Sequence, residues 1–203
     1  MRKVMRRILF CFLLAAFFWC GMIISDRQRL RTDMIRLHIV ANSNSREDQS
    51  LKLLVRDAVT ESLKNDLENI KDIEQAKQYI REKLPYIQSI AEKALQSMGC
   101  EKMVDVSLCR ESFDTRVYDT FTLPAGIYHA LRIVIGEGQG KNWWCVVFPG
   151  FCIPASSEGF EDVAAVSGFP KGLNDALTGT QKYELRFGVL EVLGKLENML
   201  FEG

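Results

Sequence analysis

The segment that begins at Met34 constrains the fold more than any other part of the chain. Its first residues alternate between apolar and polar, so that Ile35, Leu37 and Ile39 share one side, as a half-buried strand requires. The polar run 42–45 then interrupts the strand with asparagine and serine, which favour turns and helix caps. The segment therefore begins as a strand that ends in a tight polar turn.

An amphipathic helix is predicted directly after this turn, over about residues 46–66. Ser45 is placed to cap it, and apolar residues recur at helical spacing from Leu51 onwards. Lys52 and Arg56 lie toward the other side of the helix, so we expect both to be exposed to solvent. Strand, turn and helix are a common combination, and by themselves they do not identify a function.

The middle of the chain predicts one more helix and three more strands. The helix starts near Asp72, contains Pro85, which should kink or divide it, and ends at Gly99. Three strands follow, and a glycine-rich hairpin joins the last two: 104–108, 127–135 and 142–148.

The chain is predicted to finish with a surface excursion over 154–181 and an amphipathic helix from about Tyr183 to Leu200. We expect the apolar face of that helix to pack on the domain (Leu185, Val189, Val192, Leu193, Leu196 and Leu200). The order of elements predicts an α+β domain, in which helices pack on one face of a small antiparallel or mixed sheet.

Residues 1–31 form an amino-terminal membrane-insertion element. They carry seven basic side chains and one acid, and Ile8–Ile24 is a run of 17 residues without a charge. Three fates stay open: an uncleaved signal-anchor helix, a cleaved signal peptide and, because of Cys20, a lipoprotein. In each case residues 8–24 contact a membrane, and the domain 32–203 is expected to be extracytoplasmic, either membrane-anchored or secreted.

The domain that follows this element is acidic. Of the 26 basic and 26 acidic residues in the chain, 19 and 25 lie beyond residue 31, which gives a net charge of −6. Nucleic-acid binding is not expected, because it requires a concentrated basic surface.

Two blocks of sequence carry a family resemblance. The first reads H-x-x-A-N-S-x-S-x-x-D-Q-x-L-K-x-x-V-R-D-A-V from His38, and the second is LPAGIYHALRIVIGEGQGKNWWCVVFPGFC over 123–152. Both resemble stage II sporulation protein R, a family of signalling proteins from endospore-forming bacteria. The chain departs from the family pattern at Gly150, where a second proline is usual, and again after Cys152.

The resemblance implies a function that depends on binding and needs no catalytic residue in this chain. It implies synthesis in the forespore and export into the space between the two membranes that separate it from the mother cell. There the protein would activate a membrane-embedded aspartic protease, which processes the precursor of an early mother-cell sigma factor. The alternatives are an extracytoplasmic cell-wall or peptide hydrolase and a structural envelope protein, and the oligomeric state stays open.

Four cysteines lie beyond the membrane element, and two of them belong to the second block. Cys145 and Cys152 flank a strand end and a Pro-Gly turn, so the chain can double back and bring them within bonding range. We predict a disulfide between them. Cys100 and Cys109 are separated by an extended run, so we expect no bond between these two.

Signatures of catalysis, cofactors and metals are weak. Cys145, His129 and Asn142 could form a catalytic set, but His129 shares a strand face with apolar residues, as a packed core histidine does. The link 136–140 joins two strands, so it matches neither a P-loop nor a dinucleotide fingerprint. We expect no enzymatic activity, no cofactor and no metal site.

Candidate partner-binding residues fall into two groups. One is the polar patch around the first turn, for which turn and cap chemistry is the competing explanation (His38, Asn42, Ser43, Asp48, Gln49, Lys52 and Arg56). The other is Trp143 and Trp144, which as neighbours on a strand face opposite sides. One ring can then fill the core while the other meets a partner.

Overall fold

The computed structural model describes residues 2–117, 122–148 and 184–202. Its elements, in chain order, are α1 (Arg2–Thr32), β1 (Ile35–Val40), α2 (Arg46–Glu68), α3 (Ile73–Gln96), β2 (Val104–Phe113), β3 (Arg116–Val117), β4 (Thr122–Leu123), β5 (Gly126–Ile135), β6 (Asn142–Phe148) and α4 (Glu184–Glu202). The predicted α+β class with a mixed sheet is confirmed. The predicted excursion over 154–181 lies outside the described residues.

β1 lies inside a four-stranded sheet of order β2-β5-β1-β6. It pairs parallel with β5 and antiparallel with β6, while β5 pairs antiparallel with β2. The predicted hairpin between β5 and β6 is therefore wrong, because β1 separates the two strands. All six residues of β1 are buried, and a strand buried on both faces belongs inside a sheet. The link 136–141 instead crosses over the end of β1.

Alternation along the strands divides the sheet into two faces. One, the helical face, carries the apolar residues of the central strands (Ile35, Leu37, Ile39, Leu131 and Ile133). The opposite one, the arginine face, carries charged and aromatic residues (Arg36, His38, Arg132 and Trp144). Trp143 packs against the core of the helical face, so the two tryptophans do face opposite sides.

The helical face forms the main hydrophobic core with α2 and α3. Ser45 caps the amino terminus of α2, since its hydroxyl accepts from the Asp48 backbone N–H at 3.1 Å. Asp72 caps α3 in the same way, since its carboxylate accepts from two backbone N–H groups. Their inward stripes are fully buried (Val55, Val59, Leu63, Ala76, Ile80, Ile87 and Ala91). Burial of a valine, leucine or isoleucine of this kind contributes about 1.5–3 kcal/mol.

α3 is one continuous helix despite Pro85, so the predicted division does not occur. The proline removes a donor to the carbonyl of Arg81, and both residues are exposed, so water can satisfy that carbonyl. The helix ends at Gln96, and Gly99, the glycine predicted to terminate it, follows with a φ of 69°. The N–H of Gly99 donates to Gln96 O at 2.9 Å, and that of Cys100 donates to Leu95 O at 3.1 Å.

α1 and α4 pack against β5, but none of their described side chains joins the helical-face core. In α4 the expected apolar contact is wrong for Val192, Leu196 and Leu200, which are exposed, whereas Leu193 is half-buried. The helix instead approaches the domain through Gly194, where a Cβ would collide with the carbonyl oxygen of Ala125. The side chains of Leu185 and Val189 lie outside the described part of the molecule.

Asn198 fixes the same side of α4, because its Nδ2 donates to Phe113 O at 2.9 Å. A small residue and an amide thus decide which side of this helix turns inward. The connection predicted over 111–126 contains the end of β2 and a short antiparallel ribbon, β3 with β4. Among the described residues, no helix is long and apolar enough to cross a bilayer. The amino-terminal membrane element therefore stays a prediction.

Candidate functional site

The polar turn after β1 is organised around the carboxylate of Asp48. Its Oδ2 accepts from Ser43 Oγ at 2.5 Å and from Asn42 Nδ2 at 2.8 Å. Lys102 Nζ lies 3.2 Å from the other oxygen. The pKa of Asp48 is lowered from its ordinary 3.8 to about 2. The hydrogen bond from Ser43 lowers it most, followed by the bond from Asn42 and then by Lys102. Asp48 is therefore ionised at neutral pH and saturated with donors.

The link 136–141 is tied to this turn by hydrogen bonds from its backbone. Glu137 N donates to Asn42 Oδ1 at 3.0 Å, and Lys141 N donates to Asn44 Oδ1 at 2.9 Å. Glycine is required at 140, because a Cβ there would collide with the carbonyl of Ser43. The glycines of the second sequence block thus allow the link to cross closely over the end of β1.

Lys52 lies beneath this crossing, and the prediction that it is exposed is wrong. Only 5% of its surface is accessible, and its Nζ donates to Gln49 Oε1 at 2.8 Å and to Lys141 O at 2.9 Å. Burial lowers the pKa of Lys52, with Arg56 and Lys141 contributing. The buried ammonium is stable there because neutral oxygens replace its water.

Most polar groups of this patch therefore form hydrogen bonds with one another or with the neighbouring backbone. Gln49 also bonds inward, with Nε2 donating to Ser43 O at 2.8 Å. Arg56 was also expected to be exposed but is half-buried, and its guanidinium lies 4.5 Å from the centroid of the Trp143 ring. These contacts give Asn42, Ser43, Asp48, Gln49 and Lys52 a structural role: they join turn, helix and crossing link. This geometry favours the turn-and-cap explanation over a recognition patch.

The arginine face holds a second polar cluster around His38. Its Nδ1 lies 2.8 Å from Glu111 Oε2, and its ring stacks on Trp144 with centroids 5.6 Å apart and planes at 17°. The guanidinium of Arg116 lies 3.6 Å from the centroid of the same indole. Arg132, opposite His38 in the sheet, shares Glu111 at 3.4 Å. The cluster thus brings together charged and aromatic groups from five strands, with Glu111 of β2 as the acid.

A buried arginine supports this cluster from one side. Arg36 is fully buried, with its guanidinium 3.8 Å from the centroid of Phe113 and 5.0 Å from that of Tyr128. The Tyr128 hydroxyl donates to Pro124 O at 2.7 Å. Sequence reasoning named His38 and Trp144 as candidates, but it grouped His38 with the polar turn. It missed Glu111, Arg116 and Arg132. The available signal was charge inside apolar strands, where a buried ion needs a partner.

The candidate catalytic set is not assembled. His129 belongs to β5 and Cys145 to β6, and β1 lies between them, so the strands are about 10 Å apart. Asn142 lies on the arginine face, whereas Cys145 lies on the helical face. His129 is half-buried beside α3. Burial is the main cause that lowers its pKa, and the charges of Lys77 and Arg110 lower it further. This histidine is a packed one.

The predicted Cys145–Cys152 disulfide stays a prediction, since Cys152 lies outside the described residues. Cys100 and Cys109 are free thiols. Within the three described ranges, no group of three or more histidine, cysteine or acidic residues is arranged to hold a metal ion.

Fold and site together define a small α+β domain with a self-contained polar network on one side and a cationic, aromatic face on the other. The family model for stage II sporulation protein R matches residues 31–158, more than half of the sequence. The chain belongs to the stage II sporulation protein R family, as the resemblance of its two blocks predicts, and this supports a role in sporulation.

One curated relative is stage II sporulation protein R of Bacillus subtilis (strain 168), 42% identical over 125 residues. The match covers 62% of this chain and 56% of the relative, so the chain spans little more than half the length of that protein. No solved structure matches.

Proposed function

We propose that this chain is an exported sporulation signal that acts by binding. In the space between forespore and mother cell it would activate a membrane-embedded aspartic protease, which then processes the precursor of a mother-cell sigma factor. Membership of the family, carried by the match over residues 31–158, is the observation on which this rests.

The arrangement of candidate residues agrees with a binding mechanism. Cys145, His129 and Asn142 lie on different strands or faces, so a hydrolase would need another catalytic set. A signal can work without catalysis if it binds the active state of the protease more tightly than the inactive one. Activation is then limited to the difference between those two binding free energies.

Contact with a membrane is part of the proposal. Four phenylalanines of α1 are more than half exposed (Phe10, Phe12, Phe17 and Phe18). Exposed apolar surface of this extent is uncommon on a soluble domain and is typical of segments that meet lipid or protein. The basic residues Arg2, Lys3, Arg6 and Arg7 precede it and favour retention of the amino terminus in the cytoplasm.

Co-expression in a host that does not sporulate tests this function. The full chain, the receptor protease and the sigma-factor precursor are produced together, and processing is followed by immunoblot. We expect processing with the full chain and none with a variant that lacks residues 1–31, because that variant stays in the cytoplasm. A purely structural envelope protein would give no processing in either case.

A further inference from the structure

Among the described residues, His38, Arg116 and Arg132 of the arginine face have one carboxylate partner between them, Glu111. His38 and Arg132 both contact Glu111, at 2.8 and 3.4 Å. The guanidinium of Arg116 lies over the Trp144 ring, and Arg116 has no ion pair in the described part of the chain. Two side chains thus share one acid, and Arg132 has 40% of its side chain exposed.

Two hydrogen-bond donors in the same cluster also have no partner among the described residues. The Nε of Arg116 is buried and bonds to none of the described residues, and neither does Nε2 of His38. The Nε of Arg132 is 3.4 Å from Glu111 Oε1, an ion pair without hydrogen-bond geometry. A buried polar group without a partner destabilises the fold, and a charged one does so more strongly. The contacts among the described residues therefore leave Arg116, which lies over Trp144, able to accept a further partner.

We propose that the arginine face binds an acidic segment of a partner protein, whose carboxylates pair with Arg116 and Arg132 while Trp144 supplies an aromatic contact surface. A planar guanidinium matches a carboxylate in a two-bond fork, and arginine and tryptophan dominate the binding energy of many interfaces. The inference rests on the proposed function in that the partner would be the receptor, but its test does not require the protease.

The net charge of the domain does not oppose this contact at physiological salt. Residues 32–203 carry a net charge of −6, but charges farther away than about 8 Å are largely screened at that ionic strength. Recognition is therefore governed by the local cluster, in which Arg116, Arg132 and Glu111 sum to a positive charge. His38 is held against Glu111 and keeps that acid engaged.

Peptide binding to the full chain in detergent tests the site. Fluorescein-labelled hexaglutamate is titrated and followed by anisotropy, with hexalysine and hexaphosphate as comparison probes. We expect hexaglutamate to bind and the Arg116→Gln/Arg132→Gln pair to weaken it by about tenfold. Arg46→Gln/Arg81→Gln removes the same charge from exposed positions on α2 and α3 and should leave affinity within about twofold.

Two further variants make the result specific. Arg116→Lys/Arg132→Lys keeps the charge and loses the fork, so hexaglutamate affinity should fall between the wild type and the glutamine pair. Arg132→Glu should lose hexaglutamate and gain hexalysine, with circular dichroism to show that the fold is kept. If this variant unfolds, the glutamine and lysine pairs still decide the question.

Three results would overturn the inference: no binding of hexaglutamate, equal weakening by both glutamine pairs, or tighter binding of hexaphosphate, which would indicate a phosphate site. Absence of peptide binding with normal protease activation would remove this site and leave the proposed function intact. Peptide binding without protease activation would keep this site and remove the proposed function.

Discussion

The two faces of the sheet are buried by different means. The helical face is covered by α2 and α3, and its described core is apolar, with Ile35, Leu37 and Ile39 fully or nearly fully buried. The arginine face, formed by the same strands, buries Arg36 and His38. The helical face therefore stabilises the fold by burying apolar area. The arginine face buries polar and charged side chains, which packing alone does not favour. The comparison separates residues that specify the structure from residues available for recognition.

The largest expected effect is on the helical face. Val55 is 0% exposed and Leu53, on the same helix, is 38% exposed. Val55→Asp should lower the free energy of unfolding by more than about 4 kcal/mol, because it buries an unpaired carboxylate. Leu53→Asp should change it by less than about 1 kcal/mol. Urea denaturation followed by circular dichroism measures both, and similar losses would show that α2 packs on another side.

Lys52 marks the place where the sequence pattern and the structure disagree most. Lys52→Glu should cost about 3 kcal/mol, because the new anion would face the oxygens of Gln49 and Lys141 in a buried position. The matched reversal Lys64→Glu, at an exposed position of α2, should stay within about 0.5 kcal/mol. An equally small change in the free energy of unfolding for both variants would show that Lys52 is exposed to solvent.

The ionisation of Asp48 makes the stability of the fold depend on pH. Since its pKa is lowered from 3.8 to about 2, its ionised form stabilises the fold fully above pH 4, and this contribution is lost as the pH falls through about 2. Asp48→Asn should therefore cost about 2 kcal/mol at pH 7 and progressively less below pH 4. Urea midpoints at pH 7, 4 and 2.5 check this, with the exposed Glu61→Gln as control. A constant difference across this range would contradict the assignment.

The smallest effect is expected on the arginine face. Arg116→Gln/Arg132→Gln should change the free energy of unfolding by no more than about 1 kcal/mol, since incompletely paired charges contribute little to stability. Thermal melts of this pair beside the wild type measure it. A loss above 3 kcal/mol would show that these arginines hold the fold together and would blur the contrast between the two faces.

Periodicity and caps were sufficient to predict much of the fold, and the reason is local. Ser45, Asp72 and Gly99 act through groups a few residues away, so their roles are readable from spacing. Strand pairing is not local, and nothing in the glycine-rich link reveals that β1 separates β5 from β6. The burial of Lys52 has the same origin, because its acceptor at Lys141 comes from that distant link.

The candidate site was predictable only in part for a similar reason. Asn42 and Ser43 were recognised as turn residues, but their shared partner Asp48 depends on the fold of the whole turn. Glu111 and Arg132 meet His38 only because β2, β5 and β1 are neighbours in the sheet. Charged residues inside strands indicate that partners exist, but they do not say which ones.

The interior position of β1 also bears on the order in which the domain can mature. If the chain is threaded across a membrane with its amino end first, β1 emerges early, while its partners β5 and β6 are still on the other side. Both edges of this apolar strand then stay open until residues 126–148 arrive, and open edges invite association between chains. Productive folding on the far side would then favour rapid delivery of the carboxyl-terminal half, and a pause in translocation after α3 should increase aggregation more than a pause after β6.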